Sequence, residues 1–505
     1  MSLNFTKEEF LNNKKNFKAT VLYKKIATDT LTAVASHIKL SSHFDNYNFL
    51  LESAENGNNK GRFSVIGINP DKIWKCTNNQ SFINENFANS PQNFIEQSGN
   101  IINNFREFVN GCKINWQHLN YSSDLLPSIC AGVFGYMGYD MARMMENLPD
   151  LKLSDELKIA DSIFIRPQIL IVFDSLFDCA LICAPLYQDS FDDYESLNSK
   201  IHKTQQILQE PLHEKSLENV QFDENFQSNF TEKEYCQAVE KSKEYIVAGD
   251  IFQILPSQRF KANFDKNLDP FFFYRSLRTV NPSPFLFFLK FDDFVLTGSS
   301  PEIMVSLKNK TVTIRPLAGT RKRGKSIDED KKIAQELLED EKEIAEHLML
   351  IDLGRHDVGS IAKSNSVVVS KKMVVEYYSH VMHLSSTVEG EIRDEFDAID
   401  ALIAGFPAGT VSGAPKIRAM EIIEEIENIR RSFYAGCVGY FASNSDMETC
   451  ITLRSALIKD EKIYLQAGAG VVFDSVPKLE YQECINKSQA LVRAYLNIKN
   501  FADSS

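Results

Sequence analysis

The chain contains 505 residues, 43% of them hydrophobic, and is long enough to bury a large core in about two or three domains. It carries 55 Lys and Arg residues against 68 Asp and Glu residues. The net charge of −13 excludes a general binder of nucleic acids or anionic membranes, which needs a basic face, although a small anion can still bind in a locally positive pocket.

Nine cysteines are scattered along the chain without any CxxC pair. This usage argues against a disulfide framework or a structural zinc site and favours a reducing compartment. The N-terminus lacks the apolar core of a secretory signal, and Asp174 and Asp178 interrupt the most apolar stretch, residues 168–186. We therefore expect a soluble, cytoplasmic protein in which SLFD (175–178) is a hairpin turn between two buried strands.

Residues 1–190 alternate short strand patterns with turns rich in Gly and Asn. A polar segment with few aliphatic residues follows at 209–231 and is the best candidate for a linker or covering segment. We divide the chain into an N-terminal region (1–190), a connecting segment (191–231) and a C-terminal region (232–498).

Helix and strand patterns alternate in the C-terminal region. The helical patterns are at 233–248, 328–353, 415–430 and 478–497. The strand patterns are at 284–291, 294–298, 311–318, 435–443 and 462–473. This mixture, with strands in both halves of the chain, predicts an α+β or α/β fold.

Residues 319–326, GTRKRGKS, match the pattern of a phosphate-binding loop and follow a predicted strand. Such a loop needs small residues whose backbone N–H groups wrap the phosphates, whereas this one carries basic residues at 321–323. Ser326 and Glu329 fit a capping box that opens a helix near Ile327. A P-loop nucleotide hydrolase therefore stays only as an alternative.

Two predicted helices carry acidic residues at helical spacing, so the members of each group share one face. The groups are Glu343, Glu346 and His347 in one helix and Glu480, Glu483 and Lys487 in the other. A single pair of this kind is usually a solvated helix face. If the two faces converge, their carboxylates repel each other unless one is protonated or a hard cation such as Mg²⁺ binds them.

Two glycine-containing loops have the features of anion sites. FPAGTVSGAPKIRAMEIIEE (406–425) leads into a helix that Ser412 or Gly413 could cap, and the hydroxyl of Thr410 could meet a carboxylate. QAGAG (466–470) offers backbone that a ligand can approach closely. Each loop also fits an ordinary tight turn.

Seven motifs occur in a characteristic order along the chain. They are GDIFQILPSQRF (249–260), RPLAGTR (315–321), EHLMLIDLGRHD (346–357), SHVMHL (379–384), FPAGTVSGAPK (406–416), TCITLRSAL (449–457) and QAGAGVVFDSVPKLEYQE (466–483). Together with LLES (50–53), GRFSVIG (61–67) and NPSPFLFF (281–288), they resemble the chorismate-utilising enzymes and, among these, the anthranilate synthase component I family.

The resemblance implies an α+β fold, an α/β sandwich of two large antiparallel sheets flanked by helices. It implies a lyase that converts chorismate and ammonia to anthranilate and pyruvate, the first committed step of tryptophan biosynthesis. Ammonia adds at C2 while the C4 hydroxyl leaves, and elimination of pyruvate makes the ring aromatic. The N-terminal region would contribute a tryptophan-binding site, and residues 232–498 would form the catalytic region.

The resemblance also assigns roles to residues at matching positions. Glu346 and Glu483, with help from Glu480, would hold Mg²⁺. Glu343 would protonate the departing hydroxyl, and His383 would assist the elimination of pyruvate. Substrate contacts would come from Gly319, Thr320, Thr410, Tyr434, Arg454, Gly468, Ala469, Gly470 and Lys487.

Two positions distinguish the members of this family. Aminodeoxychorismate synthases, which attach the amine at C4, commonly carry a nucleophilic Lys where this chain has Ala318, and relatives that add water use a Lys base where it has Gln253. Since neither Ala nor a neutral amide performs this chemistry, the nucleophile would be free ammonia. A 4-amino-4-deoxychorismate synthase component I stays as the alternative within the family.

The ammonia would come from a separate glutamine amidotransferase subunit, component II of the enzyme. The family's glutaminase order is Cys before His, and no His follows residue 383, so Cys437 cannot begin such a triad. Tryptophan would inhibit allosterically. Its site would contain Glu52, Ser53, Pro284, Phe285, Leu286, Val438, Tyr440 and Cys450. A non-catalytic tryptophan-binding regulator would not need the two acidic helix faces.

Overall fold

The computed structural model describes residues 3–55, 59–116, 126–149, 153–190, 192–378 and 381–502. The side chains of residues 54–55, 59–60 and 501–502 are not described. Ser379 and His380 of the motif SHVMHL lie outside the described residues. Along the described ranges, no helix combines the length and the apolar character that crossing a membrane requires.

The strands are numbered in chain order. β1 to β8 are Thr20–Ala27, Asn48–Glu55, Asn59–Thr77, Gln80–Asn84, Ile95–Gln97, Gly132–Met137, Ser162–Asp174 and Cys179–Leu186. β9 to β16 are Gln227–Ser228, Gln253–Ile254, Ser257–Asn263, Phe285–Lys290, Val295–Ser300, Ile303–Lys308, Thr311–Ile314 and Leu317–Lys322. β17 to β23 are Val368–Tyr377, Val381–Glu391, Gly413–Ala414, Cys437–Ala442, Met447–Ile451, Ser455–Lys459 and Lys462–Gly468.

The helices are also numbered in chain order. α1 to α6 are Lys7–Phe17, Ala33–Ser41, Ile101–Asn110, Tyr194–Gln209, Glu232–Ala248 and Pro270–Val280. α7 to α12 are Ile327–Glu339, Glu341–Ile361, Ala398–Gly405, Lys416–Ile426, Pro477–Leu496 and Lys499–Ala502.

Apart from β10 and β19, which pair with each other, the strands pair antiparallel in two large sheets that share β3 and β7. The first sheet has the order β9-β11-β23-β22-β13-β12-β2-β3-β7-β8-β1. The second has the order β5-β4-β3-β7-β6-β20-β21-β14-β15-β18-β17, and β16 continues after β15 along the same side of β18. The α+β fold that the resemblance implies is therefore confirmed.

Alternate residues of the strands point into two hydrophobic cores, because successive side chains leave a strand on opposite faces. Phe49 of β2 belongs to the first core and Leu50 to the second. In the first core Phe49 stacks on Phe134 of β6 with ring centroids 4.7 Å apart, so the two sheets face each other there. The second core lies between the first sheet and helices that include α1, α4, α5, α6 and α11.

The connecting segment covers the first sheet. Its first part is α4, and its second part is mainly irregular, with Leu217, Val220 and Phe222 packed against the second core. The short strand β9 then pairs with β11 at the edge of the sheet. The SLFD hairpin between β7 and β8 is present as predicted.

The acidic helix predicted at 328–353 is two helices, which corrects the sequence-based assignment. α7 ends at Glu339 and α8 begins at Glu341. Asp340 leaves helical geometry between them, and its carboxylate accepts the N–H groups of Lys342 and Glu343. The break lets α8 begin with its own cap close to the acidic residues of interest.

The segment that matches a phosphate-binding loop, residues 319–326, is not one. It begins in β16, which pairs with β18, and α7 begins at Ile327 rather than at the Lys of the motif. Ser326 caps α7 as predicted, but the Glu329 carboxylate accepts the N–H of Lys325 rather than that of Ser326. The structure therefore contradicts the alternative of a P-loop nucleotide hydrolase.

Two further boundaries differ from the sequence-based prediction. The strand pattern at 311–318 divides into β15 and β16 at Arg315 and Pro316. The helix predicted at 415–430 is shorter, and Pro415 occupies its N-cap position. Neither Ser412 nor Gly413 caps this helix, and the Ser412 hydroxyl donates to the carbonyl of Ala408 instead.

Candidate active site

The acidic residues of α8 and α11 approach each other. Glu346 of α8 accepts a hydrogen bond from Gln253 Nε2 at 2.6 Å, and Glu483 of α11 is close enough to raise the pKa of Glu346. A Cβ atom added at Gly470 would lie 3.1 Å from Gln253 Nε2 and 3.8 Å from Glu346 Oε1. The QAGAG loop therefore passes directly beside this carboxylate.

Burial and like charges perturb these carboxyl groups. The pKa of Glu346 is raised chiefly because the side chain is buried, and secondly because Glu343 is near. The pKa of Glu480 is also raised, chiefly by burial, and Glu483 adds to this shift. Neighbouring carboxylates repel each other when both are charged. A cation bound between them relieves this repulsion and is therefore bound favourably.

Glu343 has a different environment from Glu346. Its carboxylate forms an ion pair with Arg321 at 2.9 Å, and Arg321 also pairs with Asp340 at 2.8 Å. The Glu343 carboxylate is therefore engaged with a guanidinium group, whereas that of Glu346 is engaged with an amide.

Predicted substrate-binding residues lie together beside α11. Lys487 Nζ donates to the carbonyl of Gly468 at 3.0 Å and forms an ion pair with Glu483 at 2.8 Å. Arg454 Nη1 donates to the carbonyl of Lys487 at 2.8 Å. The Tyr434 hydroxyl faces Gly468, where an added Cβ atom would lie 3.2 Å from it. Two cations that can bind carboxylates of a ligand thus lie next to the acidic residues.

Arg454 is held in an unusual backbone conformation. Its φ angle is 48°, in the left-handed region that residues with a large side chain rarely adopt. Its carbonyl accepts the N–H of Ser299 at 3.0 Å. Such conformations cluster at functional sites, where the surrounding structure maintains them.

His383 lies on β18 opposite an irregularity of β16. The register shifts at Gly319, whose φ angle is 59°. His383 Nδ1 is 3.0 Å from Thr320 Oγ1 and 3.3 Å from the carbonyl oxygen of Gly319. Burial, followed by the charges of Arg454 and Lys487, lowers the pKa of His383 to about 4. The ring is therefore neutral at pH 7, and Nε2 can accept a proton when Nδ1 carries the hydrogen.

Glu302 belongs to the same site, although no sequence pattern indicated it. Its side chain is buried, and Oε1 accepts the N–H of Leu317 at 3.3 Å. Burial raises the pKa of Glu302 to about 7, against the opposing effects of Thr410, Leu317 and Arg315. Thr410 is thereby placed against a carboxyl group. A single acidic residue between two strands has no spacing signal that could have identified it.

Two residues near the site have polar groups that bond to other parts of the protein. The N–H of Ala469, which was predicted to contact the substrate, donates to the carbonyl of Pro256 at 3.3 Å. His347, which has helical spacing to Glu346, is buried with Nε2 2.7 Å from Ser386 Oγ. Its role is therefore in the packing of α8 against β18.

The acidic residues fit Mg²⁺. Within the described ranges, no group of three or more His, Cys, Asp or Glu side chains lies close enough together to hold a metal ion. Mg²⁺ does not need such a group, because it takes one or two protein carboxylates and keeps several waters. Glu346 and Glu483 supply carboxylates from two helices, and their repulsion is what a divalent cation would relieve.

Three residues predicted to bind tryptophan line one cavity of about 340 Å³ on the first sheet. They are Glu52, Ser53 and Leu286. Glu52 accepts hydrogen bonds from the Tyr274 hydroxyl at 2.6 Å and from Arg278 Nε at 2.9 Å, and Arg278 also lines the cavity. A carboxylate and a guanidinium side by side suit a zwitterionic ligand.

The other five predicted tryptophan contacts form a second group. Pro284 and Phe285 lie at the start of β12, Val438 and Tyr440 lie on β20, and Cys450 lies on β21. None of these five is among the described residues that line the cavity. Ser300 links two members of this group, Phe285 and Cys450. It lies opposite Phe285 in the ladder of β12 and β13, and its hydroxyl contacts the Cys450 thiol.

Comparisons of the sequence with a family model and with individual proteins point to the same family. Residues 46–493 match the family model described as chorismate binding enzyme. Anthranilate synthase component 1 of Cereibacter sphaeroides is 44% identical over 492 residues, 96% of each chain, and that of Aquifex aeolicus is 40% identical over 498 residues, 98% of each chain.

Solved structures show the same similarity. Anthranilate synthase component I of Streptococcus pneumoniae is 36% identical with a TM-score of 0.74, over 86% of this chain and 92% of that chain. The menaquinone-specific isochorismate synthase of Escherichia coli, 18% identical with a TM-score of 0.69 over 97% of this chain and 98% of that chain, shares the fold. The chain therefore belongs to the chorismate-binding enzymes and, within them, to the anthranilate synthase component I family.

Proposed function

We propose that this chain is the large subunit of an anthranilate synthase that converts chorismate and ammonia to anthranilate and pyruvate, the first committed step of tryptophan biosynthesis. Membership of the family makes it a chorismate-using lyase. The observation that supports the proposal most strongly is the approach of Glu346 on α8 to Glu483 on α11, with Arg454 and Lys487 beside them.

The cationic residues would hold the two carboxylates of chorismate. Arg454 would bind the carboxylate of the pyruvyl group through its guanidinium, next to the Tyr434 hydroxyl. Lys487 would bind the ring carboxylate. Mg²⁺ bound by Glu346 and Glu483, with Glu480 near, would supply charge neutralisation for the same ring carboxylate.

We assign Glu302 rather than Glu343 as the proton donor to the departing C4 hydroxyl. With a pKa of about 7, the carboxyl group of Glu302 is partly protonated at neutral pH, whereas Glu343 is paired with Arg321. Thr410 lies against Glu302 and would orient its proton or hydrogen-bond the substrate.

Ammonia is the remaining reactant that could add at C2, because Gln253 and Ala318 provide neither a base for water nor a protein amine. When pyruvate leaves and the ring becomes aromatic, the ring must lose a proton. Neutral His383, with Nδ1 near two oxygens and Nε2 available as an acceptor, is suited to receive it.

The chain would receive ammonia from a glutamine amidotransferase subunit and would be inhibited by tryptophan. Tryptophan would bind in the cavity that contains Glu52 and Arg278 and would favour an arrangement that binds chorismate poorly. Ser300 would connect the second group of predicted tryptophan contacts to Glu302, since it contacts Cys450 and accepts the N–H of Glu302 at 3.4 Å.

The test is an assay of the purified chain with chorismate, ammonium and Mg²⁺. We expect the fluorescence of anthranilate to appear in proportion to the chorismate consumed. Accumulation of 4-amino-4-deoxychorismate would support the alternative within the family, and no consumption of chorismate would contradict the proposal.

A further inference from the structure

Six large apolar residues are exposed on three neighbouring segments, with exposed fractions between 44% for Ile417 and 70% for Phe252. We call them the apolar patch: Val247, Phe252, Ile417, Phe473, Val476 and Leu479. The first segment is the end of α5 and the turn to β10. The second is the start of α10, and the third is the turn before α11 with its first residues.

Backbone hydrogen bonds hold the three segments side by side. The N–H of Phe252 donates to the carbonyl of Ala414, just before α10, at 2.7 Å. Ile254 and Val471 exchange backbone hydrogen bonds of 3.2 and 2.8 Å. The segment at 247–254 is therefore flanked by the other two, and the six side chains lie on adjoining backbone.

The segments of the patch continue directly into the active site. Gln253, which donates to Glu346, follows Phe252 in the chain. Glu480 follows Leu479, and Gly470, which lies beside Gln253 and Glu346, precedes the segment at 471–479. A protein that covers the patch would thus lie against the backbone that forms the site.

Charged residues of both signs surround the apolar side chains. The exposed ones include Lys233, Glu240, Lys241, Glu244, Asp474 and Lys478. An apolar centre with a charged rim is the composition of a protein interface, and exposed apolar residues that are grouped mark binding surfaces. Between α5 and the start of α11, a groove lined by Cys236, Val476 and Pro477 extends the same surface.

We propose that the apolar patch is the docking surface of the glutamine amidotransferase subunit, an inference that rests on the proposed function. Ammonia released into water at pH 7 is mostly protonated and is then not a nucleophile. A subunit that releases ammonia next to the site where it is consumed avoids this protonation, and the patch adjoins Gln253 and Gly470 at that site.

The test uses Phe473→Glu and Val476→Glu, which place a charge in the patch without touching a proposed substrate or metal contact. Anthranilate formation is measured with glutamine plus a cognate amidotransferase subunit, and separately with ammonium alone. We expect the glutamine-driven rate at limiting amidotransferase to fall by about ten-fold or more, because charge in an apolar interface weakens association, while the ammonium-driven rate stays at the wild-type level. Ile95→Glu, an exposed apolar residue of β5, is the matched control and should keep both rates.

Several outcomes overturn the inference or separate it from the proposed function. If both variants keep the glutamine-driven rate and co-elute with the amidotransferase, the docking surface lies elsewhere. If a variant loses the ammonium-driven rate as well, Val247→Glu on another segment replaces it and is judged by the same criteria. If the wild type self-associates, the variants do not, and the glutamine-driven rate is unchanged, then the patch binds a second copy of the chain. Failure of the wild type to use ammonium would refute the proposed function instead.

Discussion

Glu302 and Glu343 have the same side chain, but their surroundings give them different chemistry. Glu302 is buried, and its pKa is raised to about 7. Glu343 is partly exposed and is paired with Arg321. A proton donor needs a pKa near the working pH, and burial gives Glu302 such a pKa.

Glu302→Gln tests this assignment. We expect kcat with ammonium to fall by about 10²- to 10⁴-fold, the usual contribution of a general acid. Because a raised pKa means that the acid form is present below about pH 7 and lost above it, the wild-type kcat at a fixed concentration of free ammonia should decrease as the pH rises through about 7. The variant should lack this decrease.

Glu343→Gln is the matched control for that experiment. It removes a carboxylate of the same size from the same site but leaves the buried acid in place, so we expect a smaller loss of kcat and an unchanged pH profile. A pH profile that changes in Glu343→Gln and persists in Glu302→Gln would reverse the assignment.

The ordered motifs predicted Glu346, Glu483, Arg454, Lys487 and His383 as site residues, and the structure brings these residues close to one another. Glu302 could not be identified in this way. Its acidity results from burial beneath β16 and beside Thr410, and burial of a single side chain is a property of the tertiary structure.

At the scale of elements, sequence periodicity predicted the helices better than their ends. The pattern at 328–353 continues through Asp340, yet the structure begins a new helix there because the Asp340 carboxylate satisfies two free N–H groups of α8. Periodicity records which face is apolar and contains little information about such a local choice of hydrogen bonds. Periodicity also contains no information about which residue occupies the N-cap position of α10, which is Pro415 rather than Ser412.

The convergence of α8 and α11 leads to a prediction about Mg²⁺. In Glu346→Gln or Glu483→Gln, one carboxylate of the proposed site becomes a neutral amide. We expect the Mg²⁺ concentration for half-maximal ammonium-driven activity to rise by about ten-fold or more while the circular dichroism spectrum stays unchanged. Glu336→Gln, on the exposed face of α7, is the control and should behave like the wild type. An unchanged Mg²⁺ dependence in both site variants would contradict the proposed ligands.

At the scale of the whole molecule, strands of the N-terminal and C-terminal regions join edge to edge within each large sheet. β2 of the N-terminal region pairs with β12 in the first sheet, and β6 pairs with β20 in the second. β3 and β7 take part in both sheets, with a register shift between Pro70 and Lys72. The division at 191–231 therefore separates two regions of sequence that share both large sheets.

The two junctions between the regions, β2 with β12 and β6 with β20, predict how fragments behave. Residues 1–190 and 232–505, each produced alone, should lack a cooperative thermal transition, because the strands at their boundaries lose hydrogen-bonded neighbours. Co-expression should restore ammonium-driven activity. A cooperative transition of residues 232–505 alone would show that the C-terminal region is an independent folding unit.

The proposed tryptophan site also connects the regions, because Glu52 on β2 bonds to Arg278 on α6. In Glu52→Gln the charged acceptor becomes a neutral amide, and we expect the tryptophan concentration for half inhibition to rise by about ten-fold. Activity without tryptophan should be unchanged. Glu214→Gln, which alters an ion pair with Arg275 of the same helix, is the control. Equal sensitivity of Glu52→Gln and the wild type would exclude this cavity.

The backbone of Arg454 has a consequence for the evolution of the enzyme. A glycine would occupy a φ angle of 48° without steric cost, whereas an arginine is maintained there at the expense of folding free energy. Arg454→Gly removes this steric cost together with the hydrogen bond to the Lys487 carbonyl, so it should melt close to the temperature of the parent while it no longer binds the substrate carboxylate of the proposed function. Selection for thermal robustness alone would drift toward inactive sequences at this position, so an arginine persists there only where catalysis is itself under selection.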